Sequence, residues 1–164
     1  MNRHLVPVAL LFLLLGGCGA GSPVFDTHQV DRALTPARAA ATPHGAIGKS
    51  VLWGGSILEV TNLAYTTRVE LQAYPLDREG KPRPDAEPQG RFLLEQDGFL
   101  EPLSYTGGRL LTVSGTLRRV ETCQVNVSQQ PCPVIEARQL HLWPVRRFHE
   151  DTGLRFGGEV GYGY

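Results

Sequence analysis

Hydrophobic and polar side chains alternate along several segments of the chain, most clearly at residues 67–73. Val69, Leu71 and Ala73 fall on one face of that segment, and the polar residues between them fall on the other. A two-residue period of this kind predicts a half-buried β-strand. Five segments have strand character, at residues 51–61, 67–73, 90–95, 110–117 and 133–143. Helical periodicity is almost absent from the same region, so we expect an all-β domain.

Glycines interrupt two of these predicted strands. Gly54 and Gly55 lie side by side in the first strand, and Gly115 lies in the fourth. Glycine inside a strand marks a bulge or the tight bend at a barrel corner. Five bent strands favour a small antiparallel barrel over a sandwich, which needs about seven. We therefore predict a small five-stranded antiparallel, partly open (OB-like) barrel over residues 49–145, with Pro-rich connections such as residues 77–89.

The N-terminus has the pattern of a lipoprotein signal peptide at residues 1–17. A basic start is followed by an apolar run at residues 5–15 and then by Gly16, Gly17 and Cys18. As a helix this run reaches only about 16 Å, too short for a bilayer core of about 30 Å. Small residues directly before a cysteine resemble a bacterial lipobox, so we expect cleavage before Cys18 and its covalent acylation (N-acyl and S-diacylglycerol). An ordinary signal peptide with an incidental Cys18 is the alternative.

The predicted anchor fixes the location and the layout of the rest of the chain. Two or more acyl chains hold a protein stably on a membrane. Gly19 follows Cys18, whereas an aspartate there commonly retains lipoproteins in the inner membrane, so we expect the periplasmic face of the outer membrane. Residues 18–48 are small, polar and interrupted by prolines, which predicts a flexible tether with one short helical turn. Residues 146–164 form a Gly-rich C-terminal tail.

Two cysteines remain once Cys18 carries lipid. Cys123 and Cys132 are nine positions apart, and an oxidising periplasm favours a disulfide between them. Such a bond would contribute about 2–3 kcal/mol in a chain-entropy model. The alternatives are two free thiols or a redox pair, although redox pairs more usually have two intervening residues.

Composition and charge exclude nucleic acid as a general partner. The chain balances 16 Lys+Arg against 16 Asp+Glu, without the basic stripe that a phosphate backbone requires. No catalytic constellation, phosphate-binding loop or calcium-loop spacing occurs in the sequence. His141 is the one histidine in a predicted strand, and His149 begins a polar run in the tail; both are better explained as ordinary barrel and solvent-exposed residues than as metal ligands. We expect no catalytic residue, no metal and no cofactor apart from the lipid.

Four aromatic residues offer a different hypothesis. They lie in or beside the predicted strands and are Trp53, Tyr74, Phe92 and Trp143. OB-type barrels can stack oligosaccharides or bases on such residues, although aromatic residues are more often part of the core. An exposed aromatic face would make this protein a periplasmic binding module for peptidoglycan or another oligosaccharide.

Short motifs between residues 45 and 144 resemble the Slp family of starvation-inducible outer-membrane lipoproteins in order and approximate spacing. They are residues 51–57 (VLWGGSI), Asn62, 66–70 (TTRVE), 74–77 (YPLD), 90–92 (GRF), 98–100 (GFL), 108–109 (GR), 112–116 (TVSGT) and 140–143 (LHLW). The sequence departs from the family at Leu52, where a basic residue is common, and in the stretch that carries its two cysteines. The resemblance implies a β-rich lipoprotein of the starvation or stress response, without an established catalytic activity. The expected function is therefore that of a non-enzymatic envelope protein that contacts other envelope components, either a protein or peptidoglycan.

Overall fold

The computed structural model describes residues 25–125 and 127–145, so the predicted signal peptide, Cys18 and the C-terminal tail lie outside the described residues. Its elements are α1 (Pro36–Ala41), α2 (Pro43–Ala46), β1 (Ser50–Asn62), β2 (Thr66–Ala73), β3 (Arg91–Asp97), β4 (Leu110–Val125) and β5 (Ser128–Leu142). The predicted all-β, OB-like class with five strands is confirmed.

The five strands close into a barrel in the order β1-β2-β3-β5-β4, and β4 pairs back onto β1. Four of the strand pairs are antiparallel, and β3 and β5 run parallel. The closed ring and the parallel pair differ from the partly open, fully antiparallel barrel that the strand pattern predicts. Both β2 and β4 run antiparallel to β1. Because β3 is antiparallel to β2 and β5 is antiparallel to β4, both β3 and β5 run in the direction of β1 and are parallel where they meet.

The long strand β1 contributes to two sides of the barrel, and the predicted glycine pair lies where its pairing passes from β4 to β2. Its first part, from Ser50 to Ser56, pairs with β4, and its second part, from Gly55 to Asn62, pairs with β2. A Cβ on Gly55 would lie 2.1 Å from the carbonyl oxygen of Gln72 on β2. Only glycine allows the backbones to approach so closely at this corner. A register shift next to Gly115 confirms the second predicted bend.

The core fills the inside of the barrel with alternate residues of each strand. In β2 the alternation is regular, and Val69, Leu71 and Ala73 are buried as predicted. Apolar side chains from the other four strands complete this core, among them Ile57, Leu94, Leu111, Val113, Leu117 and Ile135. Leu100 and Tyr105, from the loop between β3 and β4, pack against it from outside the strands.

The prediction of a flexible tether up to residue 48 is wrong for its C-terminal part. Ala39 in α1 and Ala46 in α2 are fully buried. The indole Nε1 of Trp53 donates to the carbonyl of Leu34 at 2.7 Å, and the amide of Gly48 donates to the carbonyl of Leu117 at 2.8 Å. Small side chains allow these short helices to pack closely against the barrel, so the segment needs no apolar periodicity to be ordered.

The predicted ends of the last two strands are also wrong, because both strands continue into a hairpin beyond the barrel. The sequence pattern ends β4 at Leu117 and begins β5 at Pro133, whereas the ladder continues to the pair between Val125 and Ser128. We call residues 118–125 and 127–132 the arm. The arm packs on the barrel with one side only, so its two strands are largely polar. The alternation of buried and exposed residues that would reveal a strand is therefore weak in this part of the sequence.

Candidate functional site

The four aromatic candidates do not form one exposed face. Phe92 is fully buried and Trp53 is 5% exposed. Their rings meet edge to face at 5.3 Å between centroids, inside the barrel core. Trp143 is buried as well, and Tyr74 is half-buried. The predicted aromatic stacking platform is therefore absent, because the barrel uses these large side chains for its own packing.

Trp143 holds the long loop between β2 and β3 against the barrel. Its indole Nε1 donates to the hydroxyl of Thr112 at 2.9 Å, and that hydroxyl donates to the carbonyl of Gly80 at 2.7 Å. The ammonium of Lys81 lies 5.8 Å from the centroid of the Trp143 ring. The ring of His141 meets the same indole edge to face at 4.5 Å. His141 therefore packs beside an aromatic residue, in the structural role that the sequence favours for it.

A cleft of about 500 Å³ lies between the N-terminal segment and the β2–β3 loop. Apolar side chains line part of it, and charged side chains surround them. The apolar group comprises Phe25, Leu34, Leu52, Trp53, Pro75 and Leu76, and the charged group comprises Arg32, Asp77, Arg78 and Glu79. A concave surface with a few convergent polar groups is typical of small-molecule sites. Sequence analysis missed this cleft because it assigned Phe25 and Leu34 to the tether.

Acidic residues of the same loop stabilise its turns. The Asp77 carboxylate accepts hydrogen bonds from the amides of Glu79, at 2.9 Å, and Lys81, at 2.8 Å. Asp85 pairs with Arg83 at 3.1 Å, and this hydrogen bond lowers the pKa of Asp85. Of these two carboxylates, Asp77 lines the cleft, and its hydrogen bonds fix the turn that forms part of the cleft wall.

The arm is fastened to the outer faces of β2 and β3 by ion pairs. Two guanidinium nitrogens of Arg119 donate to the two carboxylate oxygens of Glu95, at 2.9 and 2.6 Å. Arg68 lies 2.9 Å from Glu121 and 3.2 Å from Glu95. The hydrogen bond from Arg119 is the main reason why the pKa of Glu95 lies below its usual range, and Arg68 adds to the effect. Bidentate arginine–carboxylate pairs are the more specific kind of surface ion pair.

Beside these ion pairs the structure joins Cys123 and Cys132 in a disulfide, with 5.7 Å between their Cα atoms. The two cysteines pack with Leu93 of β3 and Val134 of β5 in a small apolar cluster outside the main core. The pair that the sequence singles out thus lies across the arm. The two cysteines thus attach the arm to the barrel by apolar packing, in addition to the ion pairs.

The described part of the chain shows neither a metal centre nor a membrane-spanning helix. Among residues 25–125 and 127–145, no three His, Cys, Asp or Glu side chains come together in a group that could hold a metal ion. None of the helices in those ranges has the length and hydropathy needed to cross a membrane.

Comparison with known proteins connects this architecture to one family. A family model described as the outer membrane lipoprotein Slp family matches residues 15–161. Outer membrane protein Slp of Escherichia coli K12 is 25% identical over 152 residues, covering 93% of this chain and 80% of that protein. An uncharacterized protein of Haemophilus influenzae is 31% identical over 96 residues, 58% of this chain and 52% of that protein.

Two further similarities were found. The uncharacterized lipoprotein YeaY of Escherichia coli K12 is 28% identical over 105 residues, 64% of this chain and 54% of its own length. The chain therefore spans about half the length of this relative and of the Haemophilus protein. Among solved structures, the mitochondrial single-stranded DNA binding protein Rim1 of S. cerevisiae aligns with a TM-score of 0.37 and 16% identity, over 58% of this chain and 94% of that one. A similarity at this TM-score supports no inference.

Proposed function

Because the chain belongs to the Slp family of outer membrane lipoproteins, we propose that it is a non-enzymatic envelope protein held at the periplasmic face of the outer membrane by acyl chains on Cys18. Its barrel acts through contacts with other envelope components, a protein or peptidoglycan, during starvation or stress. The observation that carries this proposal is the family match over residues 15–161, which takes in Cys18 and the whole barrel.

Chain length supports an anchor close to the barrel. Seven residue steps separate Cys18 from Phe25, which lies next to Gly80 of the β2–β3 loop. Even fully extended, seven steps reach only about 25 Å. An acylated Cys18 therefore keeps the barrel close to the membrane surface, where its exposed loops meet other envelope molecules.

The outer face of the barrel supports a role in contacts. Its charged residues pair with one another, as in the ion pairs between Arg119 and Glu95 and between Arg91 and Glu70. A lowered pKa keeps the Glu95 carboxylate ionised within its pair, whereas a general acid or base needs a pKa near the working pH. These charges stabilise a fixed surface.

Two substitutions beside the lipobox test the anchor. A full-length Cys18→Ala variant removes the sulfur that would carry the diacylglyceryl group, so we expect it to remain unprocessed and unacylated by mass spectrometry. Gly19→Asp keeps that sulfur and is the matched control. We expect it to be acylated and to move to the inner-membrane fraction. Normal maturation of Cys18→Ala would contradict the proposed anchor.

Photo-crosslinking in cells tests the proposed contacts. The reactive side chain is placed at Val127, which is 97% exposed at the tip of the arm, and at Leu58, which is 41% exposed on β1. The buried Phe92 position serves as the control, because it contacts only the barrel itself. We expect a discrete protein or glycan adduct from an exposed position. Adducts from neither exposed position would contradict a role in contacts.

The cleft beside Trp53 supports oligosaccharide binding as a second candidate function. Its apolar lining and charged rim would suit a sugar with both apolar and polar faces. Titration with muropeptides should change the Trp53 emission, and the change should be lost in a Trp53→Phe variant that keeps Trp143. A flat titration would remove this candidate.

A further inference from the structure

Two neighbouring loops expose large apolar side chains at one end of the barrel. One loop joins β1 to β2, and the other joins β3 to β4. Their exposed fractions are 55% for Leu63, 88% for Tyr65, 68% for Phe99 and 87% for Leu103. We call these four residues the apolar tip. Half of the eight exposed large hydrophobic residues of the described chain belong to it, and such a concentration marks an interaction site.

Hydrogen bonds hold together the backbone beneath the apolar tip. The amide of Gly98 donates to the carbonyl of Tyr65 at 2.9 Å, which joins the two loops. The side-chain amide of Asn62 donates to the carbonyl of Leu100 at 3.2 Å, and the Thr67 hydroxyl donates to the carbonyl of Gly98 at 2.8 Å. A rigid surface loses little conformational entropy when it binds. The exposed side chains are thus held ready for contact.

Charge at the apolar tip favours an uncharged apolar partner. The two loops contain one acid, Glu101, and one base, Arg109. The Arg109 guanidinium donates to the carbonyls of Ser104 and Trp143, both at 2.9 Å. These hydrogen bonds turn that cation back toward the protein. Attraction to anionic groups therefore contributes little, and burial of apolar area is the main driving force.

The proposed anchor leaves the apolar tip within reach of the membrane. Seven residue steps from Cys18 to Phe25 extend to about 25 Å, and the seven-residue strand β3 is about 23 Å long. The segment from Cys18 to Phe25 is therefore long enough for either end of the barrel to touch the membrane while the acyl chains on Cys18 stay in it. Tyrosine, phenylalanine and leucine on loop tips suit the boundary between lipid headgroups and acyl chains.

We infer that the apolar tip docks on the lipid surface of the outer membrane and fixes the orientation of the barrel there. This inference rests on the proposed anchor at Cys18. Docking would leave the arm and the cleft beside Trp53 at defined positions relative to the membrane, available to a partner in the periplasm.

Quenching by brominated lipid tests this docking directly. The acylated protein carrying Leu103→Trp is reconstituted in phosphatidylcholine vesicles whose acyl chains are brominated. The matched control is Ile47→Trp, which is likewise an exposed apolar position, 48% exposed, but precedes β1 rather than following it. Trp53 and Trp143 are buried, so they contribute the same background emission in both variants. We expect the Leu103→Trp emission to be quenched several-fold more than the control emission.

The outcomes separate the two proposals. If both variants float with the vesicles and show equal quenching, the anchor stands and docking through the apolar tip is overturned. If neither variant floats, the anchor is contradicted, and docking fails with it. A third variant carries a photo-reactive side chain at position 103. Cross-links between copies of that variant, together with no quenching of Leu103→Trp, would assign the apolar tip to self-association and would also overturn docking. Circular dichroism of each variant establishes that the barrel is folded.

Discussion

Replacing Gly55 by alanine tests the corner at which β1 passes from β4 to β2. The new Cβ would lie 2.1 Å from the carbonyl oxygen of Gln72 and 3.1 Å from the Cα of Ala73. Ordinary contacts begin at 3.4 Å, so the β2 backbone would have to move by more than 1 Å, by geometry alone about 1.3 Å, within a paired ladder. Overpacking costs about 1–3 kcal/mol and occasionally more. We expect at least about 3 kcal/mol here, because a backbone carbonyl cannot rotate away as a side chain can.

Urea unfolding followed by tryptophan emission measures this cost, on a Cys18→Ser chain produced without residues 1–17, which carries neither lipid nor the apolar signal peptide. With a slope of about 1–3 kcal/mol per molar urea, a loss of about 3 kcal/mol lowers the midpoint by about 1 M or more. Gly45→Ala is the matched control, because nothing lies within 4 Å of its new Cβ and the residue belongs to α2. That change should leave the midpoint equal or slightly higher, since alanine favours helix. Equal midpoints for the two variants would refute the reasoning.

Three further predictions concern the arm and the β2–β3 loop. A double substitution, Cys123→Ser with Cys132→Ser, should lower stability by about 2–3 kcal/mol; an unchanged melting temperature would show that packing and ion pairs hold the arm alone. Because the folded pKa of Glu95 is lowered, mainly by Arg119, its contribution is present above the ordinary value of 4.5 and is lost as the pH falls through the lower folded pKa. The urea midpoint of the parent should therefore fall more steeply below pH 4.5 than that of Glu95→Gln, and parallel pH profiles would contradict the role of this pair. Thr112→Val leaves the buried indole N–H of Trp143 and the carbonyl of Gly80 without their shared partner and should cost about 1–3 kcal/mol by calorimetry; a neutral change would show that the loop does not depend on this bridge.

Much of the barrel can be predicted from the sequence, because its strands bury one face each. Val69, Leu71 and Ala73 repeat every second residue and are all buried. The close approach at Gly55 and the register shift beside Gly115 are equally predictable, since a residue without a side chain inside a strand indicates a bulge or close backbone approach. In both cases the signal is local to the strand that carries it.

The candidate sites were much less predictable, because their parts come from distant segments. The cleft beside Trp53 combines the N-terminal segment with the β2–β3 loop, and the former has the composition of a linker. The apolar tip combines Tyr65 with Leu103 and two further loop residues. An isolated leucine or tyrosine in a loop carries no sign that another loop will place an exposed apolar side chain beside it.

Local patterns in the sequence suffice to predict the strand periodicity, the close backbone approach at Gly55, the register shift beside Gly115 and membership of the family, and they carry the prediction of acylation at Cys18. The closed strand order, the packing of α1 and α2 on the barrel, the fastening of the arm by Arg119 and the burial of particular aromatic residues become apparent only in three dimensions. Periodicity shows that a side chain faces the interior of the protein. The side chains that it contacts there depend on the pairing of strands that are far apart in sequence. Trp53 illustrates this difference: its position in a strand could be read locally, while its burial depends on Phe92 and Leu34, which other elements bring to it.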